Sequence, residues 1–135
     1  MRVFIDTNIL VSASKSSKSS PYLAFVKAVS HPNQGDICDQ NIVELHRVYM
    51  RKFPDYYKSL ETFLDFALPV LEVVSVPEEE TKFEEKVRDI NDRPILRAAI
   101  KAEVDILITG DKDFLESELT VPLILTAAEF LQLKE

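Results

Sequence analysis

The chain has 135 residues, 46% of them hydrophobic and 29% charged, which is the size and balance of one compact domain and excludes a disordered or fibrous protein. A formal charge of −7 argues against a general nucleic-acid coat with a basic face, although carboxylates awaiting cations would themselves push the total negative. Two glycines, Gly35 and Gly110, leave no dinucleotide turn or phosphate loop, and the lone Cys38 allows neither an intrachain disulfide nor a multi-cysteine zinc site. His31 and His46 fit no helical zinc motif, and no serine stands in a G-x-S-x-G elbow. Carboxylate chemistry is what remains. No apolar run approaches the roughly 18 residues of a membrane span, and Asp6 cuts off the opening run before it can serve as a signal peptide. A cytoplasmic location is therefore expected.

In chain order, Val3-Phe4-Ile5 reads as a first strand ending in Asp6, followed by a polar serine-rich loop over residues 14–20. Pro21 marks a helix start, Ile37-Cys38 a second strand after the Asn33-Gln34-Gly35 turn, and Asn41 with Glu44 three later a second helix start. Leu60, Phe63, Leu64, Ala67 and Leu68 follow i, i+3, i+4, i+7, i+8, the clearest helix, stopped by Pro69. A third strand is expected over residues 70–76. The acidic run Glu78-Glu79-Glu80, continued by Glu84 and Glu85, reads as a solvated helix start. Asp92 ahead of Pro94 opens the next helix, Ile106-Leu107-Ile108 forms a fourth strand ending in Thr109-Gly110-Asp111, and residues 121–125 form a fifth. Thr126 with Glu129 makes a capping box. Nearly continuous apolar strands alternating with helices imply a three-layer α/β/α sandwich with a mostly parallel sheet.

In such sheets the ligand crevice lies beyond the carboxyl ends of the strands, where Asp6 and Asp111 fall. Two carboxylates facing each other there repel unless a hard cation lies between them. Glu44 and Asp92 start helices on the same edge. Each acid also has a plainer use: Glu44 closing a box with Asn41, Asp92 and Asp111 as N-caps, Asp113 as a solvated turn residue. Asp6 is the exception, because no helix signal after the strand accounts for a buried carboxylate there. Arg93, Arg97 and Lys101 at i, i+4, i+8 form a basic stripe, and Arg47 and Arg51 lie beyond Glu44. These arginines suit substrate phosphates, or else a solvated face of weak surface pairs. His46 reads as a surface or satisfied histidine, with proton shuttling beside Glu44 as the other reading. Phe53, Tyr56 and Tyr57 read as packing around a helical hairpin.

The segments Val3-Phe4-Ile5-Asp6-Thr7-Asn8-Ile9-Leu10, Ile42-Val43-Glu44-Leu45, Asp92-Arg93-Pro94-Ile95-Leu96 and residues 105–114, in that order, together resemble a PIN-domain nuclease over nearly the whole chain. With the stretch of residues 47–54 after the glutamate, the chain is most similar to the VapC-like toxin components of toxin-antitoxin systems. The resemblance implies one PIN-like domain over residues 1–135 with a five-stranded parallel sheet. It also implies a metal site of Asp6, Glu44, Asp92 and Asp111, with Asp113 as a fifth acid. Thr7, Asn8 and Thr109 are implied to orient ligands or water.

The chemistry agrees, since phosphodiester hydrolysis needs an activated water and a charge clamp on the phosphoryl oxygens, which one or two carboxylate-held Mg²⁺ or Mn²⁺ ions supply. The expected function is a metal-dependent endoribonuclease acting on RNA, with Arg47, Arg51, Arg93 and Arg97 as candidate substrate contacts. A cognate antitoxin and a homodimer are the expected partners, the latter because the apolar face of the Leu60–Leu68 helix is read as more than one small core covers. Two rivals remain at this stage. A haloacid-dehalogenase-type aspartyl phosphatase wants a second acid where Asn8 stands. A silent module binding RNA or protein is disfavoured by the intact quartet.

Overall fold

The computed structural model describes residues 1–134. Five strands, β1 (Arg2–Ile5), β2 (Gln34–Cys38), β3 (Leu71–Val74), β4 (Ile106–Ile108) and β5 (Leu123–Leu125), pair in parallel in the order β3-β2-β1-β4-β5. Each expected strand is present, with β3 and β5 shorter than the apolar runs that signalled them. Seven α-helices are found among the described residues: α1 (Thr7–Lys15), α2 (Ser20–Val29), α3 (Asp39–Lys52), α4 (Tyr57–Ala67), α5 (Arg93–Lys101), α6 (Lys112–Leu115) and α7 (Ala127–Gln132).

The period-2 alternation of the strands divides the core in two. Val3, Ile5, Ile37, Ile106 and Ile108 pack with residues of α1 to α4 and α7 on one face. Phe4, Cys38 and Leu107 pack with α5 and with Phe114 of α6 on the other. This is the three-layer α/β/α sandwich that the apolar strands imply. At Gly35, an added Cβ would meet Val29 Cγ1 at 2.8 Å, so the missing side chain lets α2 pack close to the sheet.

Four local expectations are corrected. Helix α1 begins directly after Asp6 and runs to Lys15, so the polar stretch before α2 is shorter than its serine content indicated, and Asp6 does have a helix to cap. Helix α3 begins at Asp39, and Asn41 reaches back to the Cys38 N–H (2.7 Å), so Glu44 lies a turn further in and closes no box. Glu84 is not a solvated member of the acidic run but is buried. Leu60, Phe63, Leu64 and Ala67 are all buried inside the chain, which removes the apolar face that argued for a homodimer. The Thr126–Glu129 box forms as read. No helix among the described residues is long and apolar enough to cross a membrane.

Candidate active site

The strand order reverses between β1 and β4, and an open parallel sheet places its ligand crevice outside the carboxyl ends of such a pair. Asp6 leaves β1 there and Thr109-Gly110-Asp111 leaves β4. Asp6 is 5% exposed and fully bonded: Oδ1 accepts from the Thr7 N–H (2.8 Å), and Oδ2 accepts from the Thr109 hydroxyl (2.7 Å) and Asn8 Nδ2 (3.2 Å). Asn8 Oδ1 in turn accepts from the Gly110 N–H (3.0 Å), stitching the two strand ends together. Asp111 caps α6, its Oδ1 accepting from the Asp113 N–H (2.8 Å).

Glu44 and Asp92 enter from α3 and from the start of α5. Glu44 Oε1 accepts from the Thr7 hydroxyl (2.5 Å), with a longer bond from Gln40 Nε2 to Oε2 (3.4 Å). Asp92 precedes α5 but caps nothing, and its Oδ2 is buried without a donor.

The acids disturb one another. Burial, only partly opposed by the bonds from Thr109 and Thr7 and reinforced by Glu44 and Asp111, pushes Asp6 up to about 6. Burial first, then the neighbouring Asp111 carboxylate and repulsion from Asp6 and Asp89, pushes Asp92 well above the usual carboxylate range. The orphaned Asp92 oxygen and this crowding of oxygen-only donors fit a hard divalent cation.

Asp6, Glu44, Asp92 and Asp111 line one groove of about 570 Å³ together with Thr7 and Asn8. The same groove is lined by Arg47 and Arg51, as the spacing beyond Glu44 indicated, and by Lys15 and Lys52, which sequence reading missed. Lys15 sits 3.2 Å over the Phe53 ring, a cation–π contact at the groove wall. Its signal was present: Asn8, Val11, Ser12 and Lys15 line the groove at i, i+3, i+4, i+7, visible once α1 is read as a helix.

Three expected residues lie elsewhere. Arg97 is taken up by a nearly buried ion pair with Glu84 (2.8 Å) and donates to the Pro77 carbonyl (3.0 Å), so it is not free for phosphate. Arg93 Nε donates to the Val87 carbonyl (2.9 Å), tying down the segment before α5, and the residue does not line the groove. Asp113 is outside the groove as well, paired with Arg88 at 3.0 Å. Among the described residues, one carboxylate oxygen each from Asp89, Asp92 and Asp113 lies within 4.8 Å of the other two, a trio that holds Asp92 of the expected quartet and Asp113, the expected fifth acid. His46 is satisfied by the Tyr57 hydroxyl at 2.6 Å.

The family model described as PIN domain matches residues 2–113. The chain belongs to the PIN domain family. Among solved structures, the PIN fold seen here is similar to a chain of VapBC2 from Rickettsia felis, crystallised bound to a DNA fragment from their promoter. The TM-score is 0.67 and the identity 23%, over 93% of this chain and 97% of that one. No curated protein matches the chain. PIN domains are nucleases, and Asp6, Glu44, Asp92 and Asp111 lie in the groove at the β1–β4 junction.

Proposed function

We propose that this PIN domain, as one domain over residues 1–135, is a divalent-metal-dependent endoribonuclease, the toxin of a toxin–antitoxin pair. The observation that carries the reading is the set of four acids, Asp6, Glu44, Asp92 and Asp111, lining one groove together with Arg47, Arg51, Lys15 and Lys52. In it, these four residues hold Mg²⁺ or Mn²⁺, one ion or two. The bound cation supplies positive charge that activates water near neutral pH and offsets charge on the phosphoryl oxygens.

The protein's own groups do the positioning. Thr109 and Asn8 aim Asp6 Oδ2, and Thr7 holds Glu44 Oε1. Arg47 and Arg51, with Lys15 and Lys52, hold RNA phosphates along the wall, where guanidinium forks suit phosphate oxygens.

The likeness to VapBC2 supports an antitoxin partner, and a cytoplasmic ribonuclease has reason to be held in check by one. An aspartyl phosphatase is disfavoured by Asn8, whose amide is already spent bridging Asp6 and Gly110. The test is a titration of Mg²⁺ and Mn²⁺ with a mixed RNA substrate, using Asp6→Asn as control. Cleavage should require metal, stop with EDTA and vanish in the variant, and metal-independent cleavage would sink the mechanism. Expression of the wild type should arrest growth where Asp6→Asn does not. Harmless expression of both would remove the case for an antitoxin.

A further inference from the structure

Asn41 lies on the first turn of α3 with its side chain wholly enclosed, 0% exposed. Its two amide atoms serve different partners. Oδ1 accepts from the Cys38 N–H at 2.7 Å, and Nδ2 donates to Thr7 Oγ1 at 2.9 Å. A backbone N–H only donates, so Oδ1 must face Cys38 and Nδ2 must face Thr7. With its oxygen occupied by that donor, the Thr7 hydroxyl turns its hydrogen to Glu44 Oε1 at 2.5 Å. The result is a chain of three hydrogen bonds running one way, from Cys38 through Asn41 and Thr7 to Glu44.

Capping α3 uses only the Oδ1 arm, and an aspartate or glutamate at this position would accept from the Cys38 N–H equally well. The Nδ2 arm therefore exceeds what the helix needs. It crosses 34 residues of sequence to reach α1. A buried chain of this kind favours one orientation of each member, because the Cys38 N–H, the Asn41 amide and the Thr7 hydroxyl each have one acceptor in it.

We propose that Asn41 is a positioning residue for the metal site, acting through Thr7 to pin Glu44 Oε1 and present Oε2 to the cation. The proposal rests on the reading of Glu44 as a ligand. Oε2 is the oxygen left with only a long bond, from Gln40 Nε2 at 3.4 Å, and Glu44 lines the same groove as Asp6. Groups that orient a metal's ligands typically change its affinity by 10- to 100-fold when removed.

The test is a double-mutant cycle on Mn²⁺ affinity, read by calorimetry on folded protein without RNA, with thermal melts alongside. Asn41→Ala and Thr7→Val should each weaken Mn²⁺ binding about tenfold, and the double variant should be within about twofold of Thr7→Val alone. A role confined to capping α3 would lower the melting temperature in both backgrounds but leave affinity unmoved, or would add its loss to that of Thr7→Val. Either result overturns the proposal. If Asn41→Ala does not fold, Asn41→Asp replaces it. That variant keeps the acceptor for Cys38 and removes the donor, and the Thr7→Val background subtracts the charge it adds. Glu44→Gln separates the levels. Normal Mn²⁺ binding there ends the ligand reading itself, whereas weak binding there beside normal binding in Asn41→Ala ends only the positioning role.

Discussion

Replacing Arg97 by methionine should cost the fold dearly and leave the basic wall of the groove untouched. Arg97 Nη2 and Nε meet Glu84 Oε1 and Oε2 at 2.8 and 3.1 Å, with side chains only 12% and 4% exposed. Methionine replaces the apolar stem but leaves Glu84 with only the Thr81 N–H (2.8 Å) and hydroxyl (3.3 Å). Stripping one partner from a buried pair costs about 3–5 kcal/mol, and the surviving Thr81 donors place this case near the lower end, at about 3 kcal/mol. With an unfolding entropy of about 2.1 cal/mol/K per residue, a chain of 135 residues loses about 10 °C in melting temperature.

The pH dependence has a definite sign. The Arg97 guanidinium holds Glu84 below the ordinary carboxylate value of 4.5, so the pair's contribution is present above that pH and is lost as pH falls through the lower folded value. The gap between wild type and Arg97→Met should therefore close toward pH 3, and a double replacement of Glu84 and Arg97 by leucine and methionine should recover most of the loss at pH 7. Calorimetric melts across pH 3–7 measure all of this. A shift under about 2 °C combined with loss of RNA cleavage would refute the reasoning and return Arg97 to the phosphate-binding role that its helical spacing first indicated.

Metal-free protein should lose stability as pH rises from 5 to 8, because Asp6 near 6 and the raised Asp92 bind protons in the folded state that the unfolded chain has released. Asp6 alone accounts for about 1.4 kcal/mol of this, the part of its contribution that remains above pH 5, so urea midpoints in EDTA should fall with pH, less steeply in Asp6→Asn, and a flat profile would contradict it. Arg47→Ala and Arg51→Ala should each raise KM for RNA and reduce the salt sensitivity of binding, with Mn²⁺ affinity nearly unchanged; unaltered KM in both would remove them from the substrate wall. Tyr57→Phe should cost about 1 kcal/mol through the lost His46 bond while cleavage continues, and a collapse of kcat would instead revive His46 as a proton carrier.

The central strands β1 and β4 were legible because their apolar residues are enclosed on both faces, which leaves an uninterrupted signal in the sequence. Asp6 and Asp111 were legible for a related reason, as charges standing where a buried strand stops. Helix α1 was not, since its outward positions are small and polar and its capping group, Asp6, belongs equally to the site. The fate of the arginines was also hidden. Arg93 and Arg97 share a helix and a spacing with a solvated stripe, and only the path of residues 77–92 decides that Val87, Pro77 and Glu84 absorb them. Asn41 looked like a cap because it is one; its second arm depends on Thr7, distant in sequence.

The pairing of β1 with β4 joins Val3–Ile5 to Ile106–Ile108, so Asp6 acquires the Thr109 hydroxyl and its neighbour Asp111 only when the two ends of the chain have met. During synthesis, a ribosome that has joined the first hundred residues has already added Asp6, Glu44 and Asp92, yet the strand against which Asp6 is set does not exist. Contacts of such long sequence separation form late and slowly. The groove is therefore completed only once Ile106–Ile108 have been made and have paired with β1.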